Sequence, residues 1–149
     1  STSSFNLDRS VVIFGKAKSL NKFVNKPNGI DLISSYKRAS NILESELKDK
    51  NLELSNTTDP GIFKTEFEKN LYKKINELSK YFQSINKDED FEQSINNLAE
   101  SKKVIFDFFD NVIVNDEDIT IKKNRLELIQ MLCKTFDYYV NFSLIDSLQ

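Results

Sequence analysis

A chain of 149 residues accommodates one compact domain with a real core and leaves little room for a second. With 39% hydrophobic and 30% charged residues it is too apolar for a disordered segment, and its formal net charge of -2 excludes a nucleic-acid binder that works by bulk positive charge. Any RNA contact has to come from a local patch.

The absence of histidine removes Ser-His-Asp and Cys-His catalysis and the common zinc ligand sets, so we expect no catalytic residues and no metal site. Three Gly and two Pro in the whole chain favour long helices over many short strands, and the expected class is all-α. The single cysteine, Cys133, fits a reducing compartment. No window reaches 18 consecutive apolar residues and the start STSSFNLDRS lacks signal-peptide features, which predicts a cytoplasmic protein with no membrane partner.

In chain order, residues 1–6 read as a frayed tail and residues 7–149 as one helical domain. Val12, Phe14, Leu20, Phe23 and Val24 suggest a first helix over Leu7–Val24, broken by Pro27-Asn28-Gly29. A second helix follows from about Ile30 to Lys50, with Leu32, Ile33, Tyr36, Ala39, Leu43 and Leu47 on one stripe. Lys37, Arg38 and Asn41 fall on its opposite side, where charges ordinarily meet solvent. After a polar loop, Asn51–Thr58, Asp59 is placed to cap a helix that begins at Pro60. That third helix carries Phe67, Leu71, Ile75, Leu78, Phe82 and Ile85 on one face.

A polar break, Asn86–Asp90, leads to a fourth helix over about Asp90–Ile113, with Phe91, Ile95, Leu98, Ile105, Phe106, Phe109 and Ile113 near one face. Lys102 falls inside that stripe, so it must snorkel or meet a carboxylate or a phosphate. The acids of Asn115-Asp116-Glu117-Asp118 complement the start of a fifth helix, about Ile119–Ser143, without any need for calcium. Leu128, Ile129, Leu132, Phe136, Tyr139 and Val140 form its apolar face. Extended backwards, the stripe passes through Arg125, with Lys122 at its edge and Asn124 beside it.

Each polar candidate has a structural and a binding use. Arg125 can bridge Asp110 or Asp107 across the turn, and its fork can also present spare donors to a phosphate. Asn111 and Asn124 can cap helix ends or read a base edge. Phe106 and Phe109 read as core, whereas Phe108 and Tyr138 lie off their stripes and could stack on bases. Cys133 reads as an inert thiol at the edge of the apolar face, and Glu44 and Glu46, two apart on a helix, make no catalytic pair.

Four segments carry a resemblance. Y-K-R-A-S-N-I-L at residues 36–43, the Asp59-Pro60 helix start, F-F-D-N-V-I-V at 108–114, and N-R-L at 124–126 running on to F-S-L-I at 142–145 occur in order. Together they resemble the C-terminal portion of the β subunit of bacterial glycyl-tRNA synthetases. Val104, Phe106, Lys122 and Val140-Asn141 depart from the pattern usual there.

The resemblance implies a single-domain helical bundle of about five long helices, similar to the anticodon-binding domain of arginyl-tRNA synthetases. It implies binding of a glycine-specific tRNA, with the remainder of the β subunit and the α subunit as further partners. No cofactor is expected in this domain; ATP and magnesium belong to the parent enzyme's catalytic subunit. The RNA-contact residues expected on this basis are Lys37, Arg38, Asn41, Lys102, Asn111, Lys122, Asn124 and Arg125. The competing expectation is a helical adaptor that binds protein and no RNA.

Overall fold

The computed structural model describes residues 27–48, 52–84 and 91–139. The predicted helix over Leu7–Val24, the polar break 86–90 and residues 140–149 lie outside the described residues, as do the side chains of Phe91, Ile95, Tyr138 and Tyr139. Everything described is helix or connecting loop.

The first helix, α1 (Pro27–Leu47), starts earlier than its sequence suggests. Pro27, Asn28 and Gly29 are helical instead of breaking the helix, and a proline is tolerated in a first turn, where its missing N–H costs no bond. Leu32, Ile33, Tyr36 and Ala39 are buried as expected, but Leu47, the last residue of the helix, is 48% exposed.

Pro60–Ile62 is only a short 3-10 turn, with Asp59 accepting from the Gly61 amide, and the long helix α2 (Glu66–Ser84) begins four residues later. What starts it is a capping box, Thr65-x-x-Glu68. The Glu68 amide donates to Thr65 Oγ1 at 3.2 Å, and Glu68 Oε2 accepts from the backbone of Thr65 and of Lys64. Leu71, Ile75, Leu78 and Phe82 bury the predicted stripe.

The stretch read as one fourth helix is two, α3 (Phe91–Glu100) and α4 (Lys102–Asn111). They meet at Ser101, which is fully buried and whose hydroxyl donates to the Leu98 carbonyl within its own turn. The Ser101 amide bonds the same carbonyl, a tightened turn that interrupts the i to i−4 ladder. The buried stripe nevertheless continues across Ser101, since Leu98, Ser101, Ile105, Phe108 and Phe109 fall within about 100° of one another around the helix axis, and Val112 extends it just past the helix end. Phe108 is core, not an off-stripe stacking surface, while Phe106 is half-buried and Ile113 is 73% exposed.

Helix α5 (Ile119–Tyr139) follows a turn in which Asp118 Oδ1 accepts from the Thr120 amide and Asp116 Oδ1 from the Asp118 amide. Asp118 thus caps α5, and Asp116 closes a turn just before it, so the acids stand at the helix start as expected. Helix α5 is the most enclosed element, because all six residues from Asn124 to Ile129 are buried.

Helices α1 and α2 each pack against both α4 and α5. The main bundle is therefore a ring in the order α1, α4, α2, α5, with α1 and α2 at opposite corners. Paired side chains give directions. Asp31 meets Lys102 and Arg38 meets Phe109, so α1 and α4 run parallel. Tyr36 bonds Asp137 and Glu46 meets Lys122, so α1 and α5 run antiparallel.

Cys133 is buried in the core cluster, and its thiol is pushed up to about 12, by burial first and by the Asp137 carboxylate second. At pH 8 the thiolate fraction falls about a thousandfold against an ordinary cysteine, and the greater nucleophilicity of a more basic thiolate restores only part of that. The folded chain should react with a thiol-specific chromogenic disulfide at least ~30-fold more slowly than the urea-unfolded chain. Equal rates would show that the thiol is not enclosed.

Candidate nucleic-acid interface

The eight predicted contact residues separate into two groups. Asn124 and Arg125 are consumed by the fold. Arg125 is buried, with its side chain 7% exposed, and its Nε donates to Oε1 of Glu68, which is 1% exposed. Its Nη1 donates to the Ile113 carbonyl at 2.6 Å and lies 3.4 Å from Asp116 Oδ2. The predicted partners Asp110 and Asp107 are replaced by Glu68 because α2 packs against the start of α5, a neighbour that helical phase cannot reveal. Arg125 thus ties together the capping box of α2, the turn before α5 and α5 itself.

Asn124 has an equally complete set of partners. Its Oδ1 accepts from Thr58 Oγ1 at 2.8 Å and from the Asp59 amide at 2.7 Å, and its Nδ2 donates to the Asp59 carbonyl at 3.0 Å. Glu127, one turn along, accepts from the amide and hydroxyl of Ser55, and Lys134 donates to Asn56 Oδ1. The loop predicted to be merely polar is a strap laid over α5. With its amide satisfied and buried, Asn124 is not available to a base edge.

The second group reaches the surface. Lys37, Arg38 and Asn41 are exposed on α1, and with Ser34, Ser45 and Glu46 they line one shallow groove along it. Spacings of three and four put Ser34, Lys37, Arg38, Asn41 and Ser45 on the side away from Leu32, Tyr36 and Ala39, while Glu46 turns toward α5. Arg38 lies over the ring of Phe109, 4.9 Å from its centroid, so the guanidinium is held in place by a cation–π contact between α1 and α4.

Lys102 pairs with Asp31 at 2.8 Å at one end of the α1–α4 seam and lies 5.8 Å from the Phe106 ring centroid. A carboxylate is thus one of the partners its position in the stripe demanded. Lys122 pairs with Glu46 at 2.7 Å at the other end of α1, where the groove closes. Asn111 is exposed at the end of α4, its Nδ2 bonded to the Asp107 carbonyl, so it caps its own helix. Among the described residues no group of three or more Cys, Asp or Glu is arranged to hold a metal ion. None of the described helices is long and apolar enough to cross a membrane.

The result is a cation-amide-hydroxyl strip on α1, backed by an aromatic from α4 and bounded by two interhelical ion pairs. Such a strip can neutralise phosphates and offer hydrogen bonds to base edges. Sequence reading missed Phe109 as the support of Arg38, and it missed Glu68 altogether. The T-x-x-E box at residues 65–68 was the available signal for the latter.

A profile of the DALR anticodon binding domain matches residues 32–142, which takes in most of α1, all of α2 through α5 and every residue of the strip. The chain belongs to that family. This DALR domain is also similar to the glycine–tRNA ligase beta subunit of Rickettsia prowazekii, 35% identical over 127 residues that make up 85% of the chain. The corresponding subunit of Rickettsia bellii is 38% identical over 128 residues, 86% of the chain. The DALR domain spans about 18% of the length of these curated relatives. No solved structure matches it.

Proposed function

We propose that this DALR domain holds the anticodon loop of a glycine-specific tRNA on the α1 strip, as the anticodon-reading part of a glycine–tRNA ligase β subunit. Membership of an anticodon-binding family, with an exposed Lys-Arg-Asn strip inside the matched residues, is the observation that carries this reading. The remainder of the β subunit and the α subunit are its partners, the α subunit attaching glycine with ATP and magnesium, and the cytoplasm is the setting. The domain itself uses no cofactor.

On this reading Lys37 and Arg38 meet phosphates of the loop. Arg38 enters contact already oriented by Phe109, which lowers the entropy lost on binding. The Asn41 amide, which carries both a donor and an acceptor, addresses a base edge. Lys102 and Lys122 frame the strip and exchange some of their carboxylate pairing for phosphate, and Asn111 lies at its margin. Arg125 and Asn124 shape the site from within and touch no RNA.

Titration of the 149-residue chain with glycine tRNA, and with the same tRNA carrying a replaced anticodon, tests the proposal. The cognate tRNA should bind at least ~10-fold more tightly, and Lys37→Gln with Arg38→Gln together should lower the salt slope of binding by about 1 to 2. Equal affinity for the two tRNAs would end it. Exposed Ile113 and Ile119, either side of the turn before α5, give the adaptor reading its own support. Absence of RNA binding in the same titration would favour that reading.

A further inference from the structure

The outer face of α2 carries a second cationic surface that plays no part in the strip on α1. Lys69, Lys73 and Lys80 are exposed, and at about 100° per residue they fall within about 40° of one another around the helix. Asn76 lies between them on the same stripe and is half-buried. From Lys69 to Lys80 the face runs about 16 Å at 1.5 Å per residue, long enough to lie beside several successive phosphates.

Other lysines in the structure have acidic partners: Lys74 with Glu77, Lys102 with Asp31, Lys103 with Asp107 and Lys122 with Glu46. Among the described residues Lys69, Lys73 and Lys80 pair with no carboxylate. The one acid within their span, Glu77, is taken by Lys74. Glu68, the other acid near the start of the stripe, is buried against Arg125. A molecule with more acids than bases has thus kept one helix face free of exposed negative charge except for Glu66 in the first turn and the neutralised Glu77.

We propose that this face of α2 binds the phosphodiester backbone of an RNA double helix, each of the three lysines meeting a phosphate. Its location separates it from the anticodon strip. α1 and α2 stand at opposite corners of the bundle, each behind α4 and α5, so a loop seated on α1 does not reach α2. The contact is indifferent to sequence, because an ammonium is a point charge with no fork to match to a base pair. It therefore stands whether or not the anticodon is read on α1.

The test uses a blunt RNA duplex without any loop, titrated against the whole chain at several salt concentrations. The triple variant Lys69→Gln, Lys73→Gln and Lys80→Gln changes only exposed positions, and circular dichroism checks that its helices persist. Removing three phosphate contacts should lower the slope of log affinity against log salt by about 2 to 3. It should weaken duplexes of different sequence by the same factor, while Lys37→Gln with Arg38→Gln leaves duplex binding in place. An unchanged slope in the triple variant, or preference for an acidic polypeptide over the duplex, overturns the proposal. If duplex binding depends on α2 while anticodon replacement has no effect, this inference stands and the anticodon reading falls.

Discussion

Replacing Arg125 by alanine should lower the free energy of unfolding by about 3–5 kcal/mol, the cost typical of removing one partner from a buried ion pair. For a domain whose total stability is expected at about 5–15 kcal/mol, that is a large fraction. The size follows from what is stranded. Glu68 would keep its two backbone donors from Lys64 and Thr65 but lose the one cation it meets among the described residues, while remaining 1% exposed. The Ile113 carbonyl would lose its 2.6 Å donor, and the turn before α5 would lose its tie to α2.

Urea unfolding of the wild type, Arg125→Ala, Glu68→Gln and the double variant checks the interpretation. The double variant should be destabilised by clearly less than the sum of the singles, because the two side chains are one unit. Strict additivity, or a cost for Arg125→Ala under about 1 kcal/mol, would refute the structural role assigned to Arg125. A loss of tRNA affinity in this variant, at temperatures where part of the chain is unfolded, is expected and says nothing about direct contact.

The second large effect distinguishes two neighbouring phenylalanines. Phe108→Ala should cost about 3–5 kcal/mol, the usual range for emptying a fully buried aromatic site, because its side chain is completely enclosed and meets Phe109 edge-on at 5.4 Å. Phe106→Ala should cost clearly less, since Phe106 is half-buried and loses mainly its contact with Lys102. Thermal melts of the two variants rank them directly. The opposite order would mean that the face of α4 turned to the core passes through Phe106 instead of Phe108.

Legibility in the sequence followed the range of the forces involved. The stripe Leu71-Ile75-Leu78-Phe82 could be read because a helix face repeats locally and needs no knowledge of its neighbours. The exposure of Lys37, Arg38 and Asn41 could be read for the same reason, as the reverse of the Leu32-Ile33-Tyr36-Ala39 face. The acids at 116 and 118 were recognisable as helix-start residues because they act within two residues of themselves. Phe108 was misplaced because the expected stripe was drawn through Phe106 and Ile113, about 140–160° around the helix from it, whereas the face that meets α1 and α2 passes through Ser101, Ile105, Phe108 and Phe109.

Local composition and periodicity were enough to determine the all-α class, the outward cationic face of α1 and the four ordered motifs by which the family can be recognised. They could not determine that Arg125, Asn124 and Glu127 reach Glu68, Asp59 and Ser55, partners that lie 57 to 72 residues away in the chain. Only folding brings Glu68 under Arg125 and lays the strap over α5. Burial then decides their use, because a polar group taken out of water has to spend its hydrogen bonds on whatever the tertiary structure places beside it. Two residues that look like binding groups in the sequence became internal ties for that reason, while Lys37, Arg38 and Asn41 stayed at the surface, where RNA can reach them.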